Sequence, residues 1–192
     1  MSANSVWLIV ISATIGGFIS QFITEFIRWM TNPRLRFQTA SKIPFVIVAP
    51  LADDPTTIGK ATWIRVRVHN RGWRDAESCR VYLTDIFRED KEESILKDDA
   101  FPLWASAGGD GDPYASLSIS RRFGRFFDIG FITNRQLTVA SKEFPIRRRE
   151  PLPPATYKLG IAASGTNVNP ITGVIKLRFD GVSASGISVS LE

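Results

Sequence analysis

The chain has 192 residues, 24 Lys and Arg against 19 Asp and Glu, a formal charge of +5 and 44% hydrophobic residues. That hydrophobic content excludes a disordered chain; one cysteine and one histidine exclude a disulfide framework and a multi-ligand zinc site. The positive balance points to an anionic neighbour, a membrane surface ahead of nucleic acid.

Residues 1–5 are a short tail, and residues 6–30, VWLIVISATIGGFISQFITEFIRWM, read as a transmembrane helix. No charged side chain occurs from Val6 to Thr24, and at about 1.5 Å per residue that stretch covers about 28 Å, close to a hydrocarbon core of about 30 Å. The tail MSANS has no basic residue and the run ends in Phe26, Arg28 and Trp29, which argues against a cleaved signal peptide. A core or interfacial helix is the competing reading, because Ala13, Gly17, Ser20, Gln21, Thr24 and Arg28 share one stripe. Ser12, Gly16 and Ser20 form a small-xxx-small ladder. As a helix–helix contact it predicts a homodimer; it also fits the ordinary abundance of Gly and Ser in such helices. Arg28, Arg34, Arg36 and Lys42 all follow the span, so the positive-inside rule predicts a single-pass protein of the plasma (inner) membrane. The N-terminus is then outside and the larger domain cytoplasmic.

Residues 31–33 form the exit from the helix, ended by Pro33, and residues 34–192 read as one β domain. Residues 34–39 alternate and predict a first strand, residues 45–48 a short second one. Trp63 to His69 has the cleanest period of two, with Ile64, Val66 and Val68 on one face and Arg65, Arg67 and His69 on the other. Asn70-Arg71-Gly72 supplies a turn, and Cys79, Val81 and Leu83 alternate with Arg80, Tyr82 and Thr84. Cys79 is therefore a small core residue and His69 an exposed imidazole, neither of them a metal ligand.

A strand closing in Asn70-x-Gly72, followed by Ala76-x-x-Cys79-x-Val81-x-Leu83, resembles the immunoglobulin-like sandwich domains of prokaryotic surface and membrane proteins, CARDB-type modules among them, over residues 60–84. The resemblance implies a Greek-key β-sandwich of about seven strands and a binding or spacer role. It brings no catalytic residues with it.

Residues 85–99 are acidic and read as a solvated excursion, and residues 108–113 as a loop. Further strands are expected at Leu117–Ile119, Phe126–Ile132, Leu137–Val139, Tyr157–Ala162, Val174–Phe179 and Ile187–Leu191. Short strands separated by Gly, Pro and Asn turns predict a mainly β chain rather than a βαβ fold. The full expectation is an immunoglobulin-like Greek-key β-sandwich preceded by one transmembrane α-helix.

No catalytic, metal or cofactor signature stands up, so the chain reads as no enzyme and as having no cofactor. Asp110-Gly111-Asp112 lacks the third ligand position and closing glutamate of a calcium loop. Gly59-Lys60-Ala61-Thr62 lacks the leading glycine and the Ser or Thr of a phosphate loop. The strongest asymmetry is electrostatic: Arg121, Arg122, Arg125, Arg135, Lys142, Arg147, Arg148 and Arg149 stand against Asp128 and Glu143. Arg121, Arg122, Arg125, Arg147, Arg148 and Arg149 are candidate contacts for anionic lipid headgroups, the mix of guanidinium and aromatic groups also suiting single-stranded nucleic acid. The other reading makes the arginines the outer face of a strand whose phenylalanines pack inward. The predicted role is a non-catalytic, membrane-tethered interaction, scaffold or sensing module with an unidentified protein partner. The alternative is an anionic-ligand or nucleic-acid-binding domain that uses residues 121–149.

Overall fold

The computed structural model describes residues 3–50, 60–96, 103–104, 115–139, 151–181 and 186–192, with side chains described from residue 14 onward apart from 15, 50, 103 and 104. Among the described residues one helix, α1 (Ala3–Thr31), precedes eleven strands. They are β1 (Leu35–Gln38), β2 (Val46–Pro50), β3 (Lys60–Asn70), β4 (Ala76–Arg88), β5 (Leu103–Trp104), β6 (Leu117–Ile119), β7 (Gly124–Thr133), β8 (Gln136–Val139), β9 (Ala155–Gly165), β10 (Val168–Phe179) and β11 (Ile187–Leu191).

The strands form two antiparallel sheets. In the first, β3 and β7 are central; β1 and β2 share the outer side of β3, while β5 and β8 share the outer side of β7. The second runs β11-β10-β9-β4-β6. Alternation places Ile64, Val66 and Val68 of β3 and Val81 and Leu83 of β4 in one hydrophobic cluster with Phe127, Leu159, Ile161 and Ile175. Each fully buried aliphatic or aromatic side chain of this kind stabilises by about 1.5–3 kcal/mol. Ser41, between β1 and β2, joins the edges of the two sheets: its hydroxyl donates to the Val189 carbonyl at 3.2 Å and accepts the Val189 N–H at 2.7 Å.

The strand expectations hold where alternation was clear, and β4 corrects one of them. It continues through Asp85 to Arg88, into the run expected to be a solvated excursion. A register shift between Leu83 and Asp85 lets the strand carry the charge while returning Ile86 to the core. The last residues of the acidic run, 97–99, and the 108–113 loop lie outside the described residues.

α1 covers the segment read as a membrane span. From Phe18 to Met30 the large apolar side chains occupy one half of the helix and are exposed. Gln21, Thr24, Glu25 and Arg28 fall on the other half. Among the described residues no helix is long and apolar enough to cross a membrane. Gly16 and Ser20 of the small-residue ladder are exposed; the Ser12 side chain lies outside the described residues.

The helix is nevertheless fastened to the domain. The Asn70 side chain is completely buried and uses all its hydrogen-bonding capacity. Its Oδ1 accepts the N–H groups of Arg34 (3.1 Å) and Gly72 (2.9 Å), and its Nδ2 donates to the carbonyls of Arg74 (2.8 Å) and Ile119 (3.1 Å). The Asn70 backbone N–H donates to Phe123 O, and its carbonyl accepts the Arg122 N–H. Leucine at this position would strand several buried polar groups, each costing about 1–3 kcal/mol. Asn70→Leu is expected to lower unfolding free energy by about 3 kcal/mol or more in urea titrations; a loss under about 1 kcal/mol would mean that these groups find other partners.

Candidate functional site

The Asn70 network gathers one end of the domain around the helix exit. Gly72 lies against Asn32, Pro33 and Arg34 so closely that a side-chain carbon there would collide with their backbone. The Arg71 N–H donates to Arg34 O at 2.8 Å and the Arg74 N–H to Thr31 O at 3.1 Å. The β3–β4 turn, Arg71 to Asp75, is thus bonded to the last residue of α1. On the other side, residues 120–123 turn into β7: the Phe123 N–H donates to Ser120 O, Arg122 takes a φ of 61°, and the Arg121 N–H donates to the Asp75 carboxylate at 2.8 Å.

Two turns distant in sequence are therefore held side by side, and their side chains form a collar. The guanidinium groups of Arg121 and Arg122 both lie over the Trp73 ring, at 5.3 and 5.4 Å from its centroid. Arg34 lies 5.1 Å over Trp29, near the end of the helix. Trp73 is 58% exposed and Phe123 69% exposed, so both rings face outward between the arginines. Arg34, Arg71, Arg74, Arg121 and Arg122 are exposed. The ion pairs among the described residues lie elsewhere, including Arg28 with Glu25 at 3.3 Å one turn before the helix end. The Arg28 cation at the C-terminus of α1 also complements the helix dipole.

The sequence-predicted site residues divide into three groups. Arg121 and Arg122 belong to the collar, on a turn, which corrects the reading that they are the outer face of a strand. Of the nearby phenylalanines only Phe127 is fully buried in the core. Phe126 instead lies on the outer face of the first sheet, 5.5 Å from Phe45 and beneath Arg67. Arg125 is exposed at the start of β7, opposite Val68. Arg147, Arg148 and Arg149 lie outside the described residues, as does Asp110-Gly111-Asp112. Arg34, Arg71, Trp73 and Arg74 were missed as a unit; the local signal was the Arg-x-Trp-Arg turn at 71–74, and only strand pairing brings it to the helix exit and to Arg121.

His69 is half-buried, not exposed as expected. Its Nε2 lies 3.1 Å from the Arg122 carbonyl, which as an acceptor fixes that nitrogen as the protonated one, while Nδ1 is buried without a hydrogen-bond partner. Cys79 is buried, its thiol pushed up to about 11 mainly by loss of hydration, so it stays protonated and packs as a small apolar residue. Among the described residues no group of three or more His, Cys, Asp or Glu could hold a metal ion. No family model, curated protein or solved structure matches the chain.

The first sheet also buries a charge on its outer side. Asp128 accepts the Arg65 Nε–H at 2.8 Å and is 6% exposed. Burial raises the Asp128 carboxyl above the ordinary aspartate range, and the opposing pull of the Arg65 charge does not cancel it. A pKa raised by folding contributes stability that is complete below the unfolded value of about 3.9 and is lost as pH rises through the folded value. The stability of the wild type relative to Asp128→Asn is therefore expected to fall as pH is raised from about 3 toward neutral. Urea unfolding across that range tests it, and a relative stability that climbs with pH would show that Arg65 dominates.

Proposed function

We propose that the chain is a non-catalytic, membrane-tethered interaction or scaffold module, with α1 as a single-pass anchor and an immunoglobulin-like Greek-key β-sandwich presented at the membrane surface. The observation that carries this reading is the exposed apolar half of α1, including Phe18, Phe22, Phe26 and Trp29, on a helix whose last residue is bonded to the β domain. An apolar surface of that size on a protruding helix needs a cover. Lipid supplies it, because the residues upstream continue without charge back to Val6. Arg28, Trp29 and Arg34 then fall at the headgroup level, and the arginine bias puts the domain in the cytoplasm with the N-terminus outside.

The sandwich reading has two supports. The strand order, β1/β2-β3-β7-β5/β8 against β11-β10-β9-β4-β6, parallels the A-B-E-D and G-F-C-C′ sheets of immunoglobulin-like domains, with β11 as an additional edge strand beside β10. In addition, the Tyr157 hydroxyl, near the start of β9, donates to the Pro153 carbonyl at 2.6 Å, the geometry of the tyrosine corner on the equivalent strand. The non-catalytic reading is supported by the fate of the sole histidine and sole cysteine: one ring nitrogen of His69 is engaged by a backbone carbonyl, and the Cys79 thiol is buried. Neither is presented as a base or nucleophile.

Membrane extraction and a pair of C-terminal reporters test this directly. The chain is expected to stay with membranes through alkaline carbonate washing and to light only the reporter that works in the cytoplasm. Release by carbonate would make α1 a surface-lying helix, and a signal from the external reporter would reverse the orientation.

A further inference from the structure

We infer that the collar of Arg34, Arg71, Arg74, Arg121 and Arg122 with Trp73 and Phe123 is a binding site for anionic phospholipid headgroups, which clamps the β domain against the bilayer instead of leaving it on a free tether. This deepens the proposed function and rests on α1 being the membrane anchor. The Arg74 N–H is 3.1 Å from the carbonyl of Thr31, and Gly72 touches Asn32 and Pro33. The headgroup layer adds about 5–8 Å beyond each side of the hydrocarbon core. A membrane that covers the helix as far as Trp29 and Met30 therefore places its phosphates level with the β3–β4 turn.

Charge and chemistry then select the ligand. Five exposed arginines stand on the two turns and the helix exit, where the Asp75 carboxylate accepts the Arg121 N–H. Stacking Arg121 and Arg122 on one indole brings two like charges together, an arrangement that a bridging phosphate relieves with hydrogen bonds from both. Trp73 and Phe123 lie outward beside them, and tryptophan is a residue of choice for the membrane–water interface. Backbone bonds to Asn70 and Asp75 fix both turns, so little ordering is needed on binding.

The test uses the full chain reconstituted in phosphatidylcholine bilayers with trace spin-labelled phosphatidylglycerol or spin-labelled phosphatidylcholine, the motionally restricted fraction of each reporting its affinity for the protein surface. Phosphatidylglycerol is expected to be preferred, and the preference to shrink at high salt. It is also expected to fall about fivefold for each arginine removed in Arg121→Gln and Arg122→Asn, with Arg74→Gln as an independent variant at the second turn and circular dichroism as the check on folding. Equal restriction of the two lipids by the wild type, or a preference that all three folded variants retain, overturns the headgroup site while leaving the anchor in place. No restricted lipid of either kind overturns the anchor and the inference together. Displacement of bound phosphatidylglycerol by equimolar RNA would assign the collar to nucleic acid instead.

Discussion

A single buried amide holds this architecture in register. Asn70 ends β3 with no exposure to solvent, yet it bonds to the backbone of the helix exit, the following turn and β6 through its side chain, and to the turn before β7 through its backbone. Asparagine suits the position because one side of its amide accepts two N–H groups and the other donates to two carbonyls. Aspartate would set a carboxylate against the carbonyls of Arg74 and Ile119, and leucine would leave all four partners unpaired. The hydrophobic cluster between the sheets supplies most of the stabilisation, but it has no preference for where the helix leaves the domain. The polar network supplies that preference.

From this follows the functional character of the surface. Residues separated by some fifty positions meet at one end of the domain only because Asn70 binds both of their turns. Gly72 adds a steric constraint, since only a residue without a side-chain carbon lets the β3–β4 turn lie on the helix exit. The arginines and aromatic rings are thus presented on a fixed base beside the apolar helix. The far end of β4 carries Glu89, Asp90, Glu92 and Glu93 together with Arg88 and Lys91, and Lys176 pairs with Glu89 at 2.7 Å.

Much of the fold was legible in the residues themselves. Strict alternation at Ile64-Arg65-Val66-Arg67-Val68 and at Cys79-Arg80-Val81-Tyr82-Leu83 marks strands with one buried face, and both are strands. Legibility fails where register departs from a period of two, as at Asp85, where a shift in pairing lets a strand run on into a charged stretch. It also fails where a side chain's partner comes from far along the chain. His69 looked exposed because its strand face is polar, but the Arg122 carbonyl that engages it belongs to another turn. The arginines at 121 and 122 were visible as charge; their pairing on Trp73 was not, because composition contains no information about which turns are neighbours. The helix was equally plain as an element. Its apolar half is exposed, and what covers that half is set by the surrounding medium and not by the chain.

The most direct measurement is the immersion depth of nitroxide labels on the full chain in anionic bilayers, taken from the balance of oxygen and nickel-chelate relaxation. Labels are placed beside the collar by Ser120→Cys and at the far end of β4 by Glu92→Cys, both exposed positions, in a Cys79→Ala background. The turn and the far end are separated by roughly 40 Å of strand. The account predicts a collar label shielded from nickel chelate, at the level of the headgroups, and a distal label fully open to it. Two labels equally open to the aqueous reagent would contradict it, since the domain would then stand away from the membrane and the collar would face water.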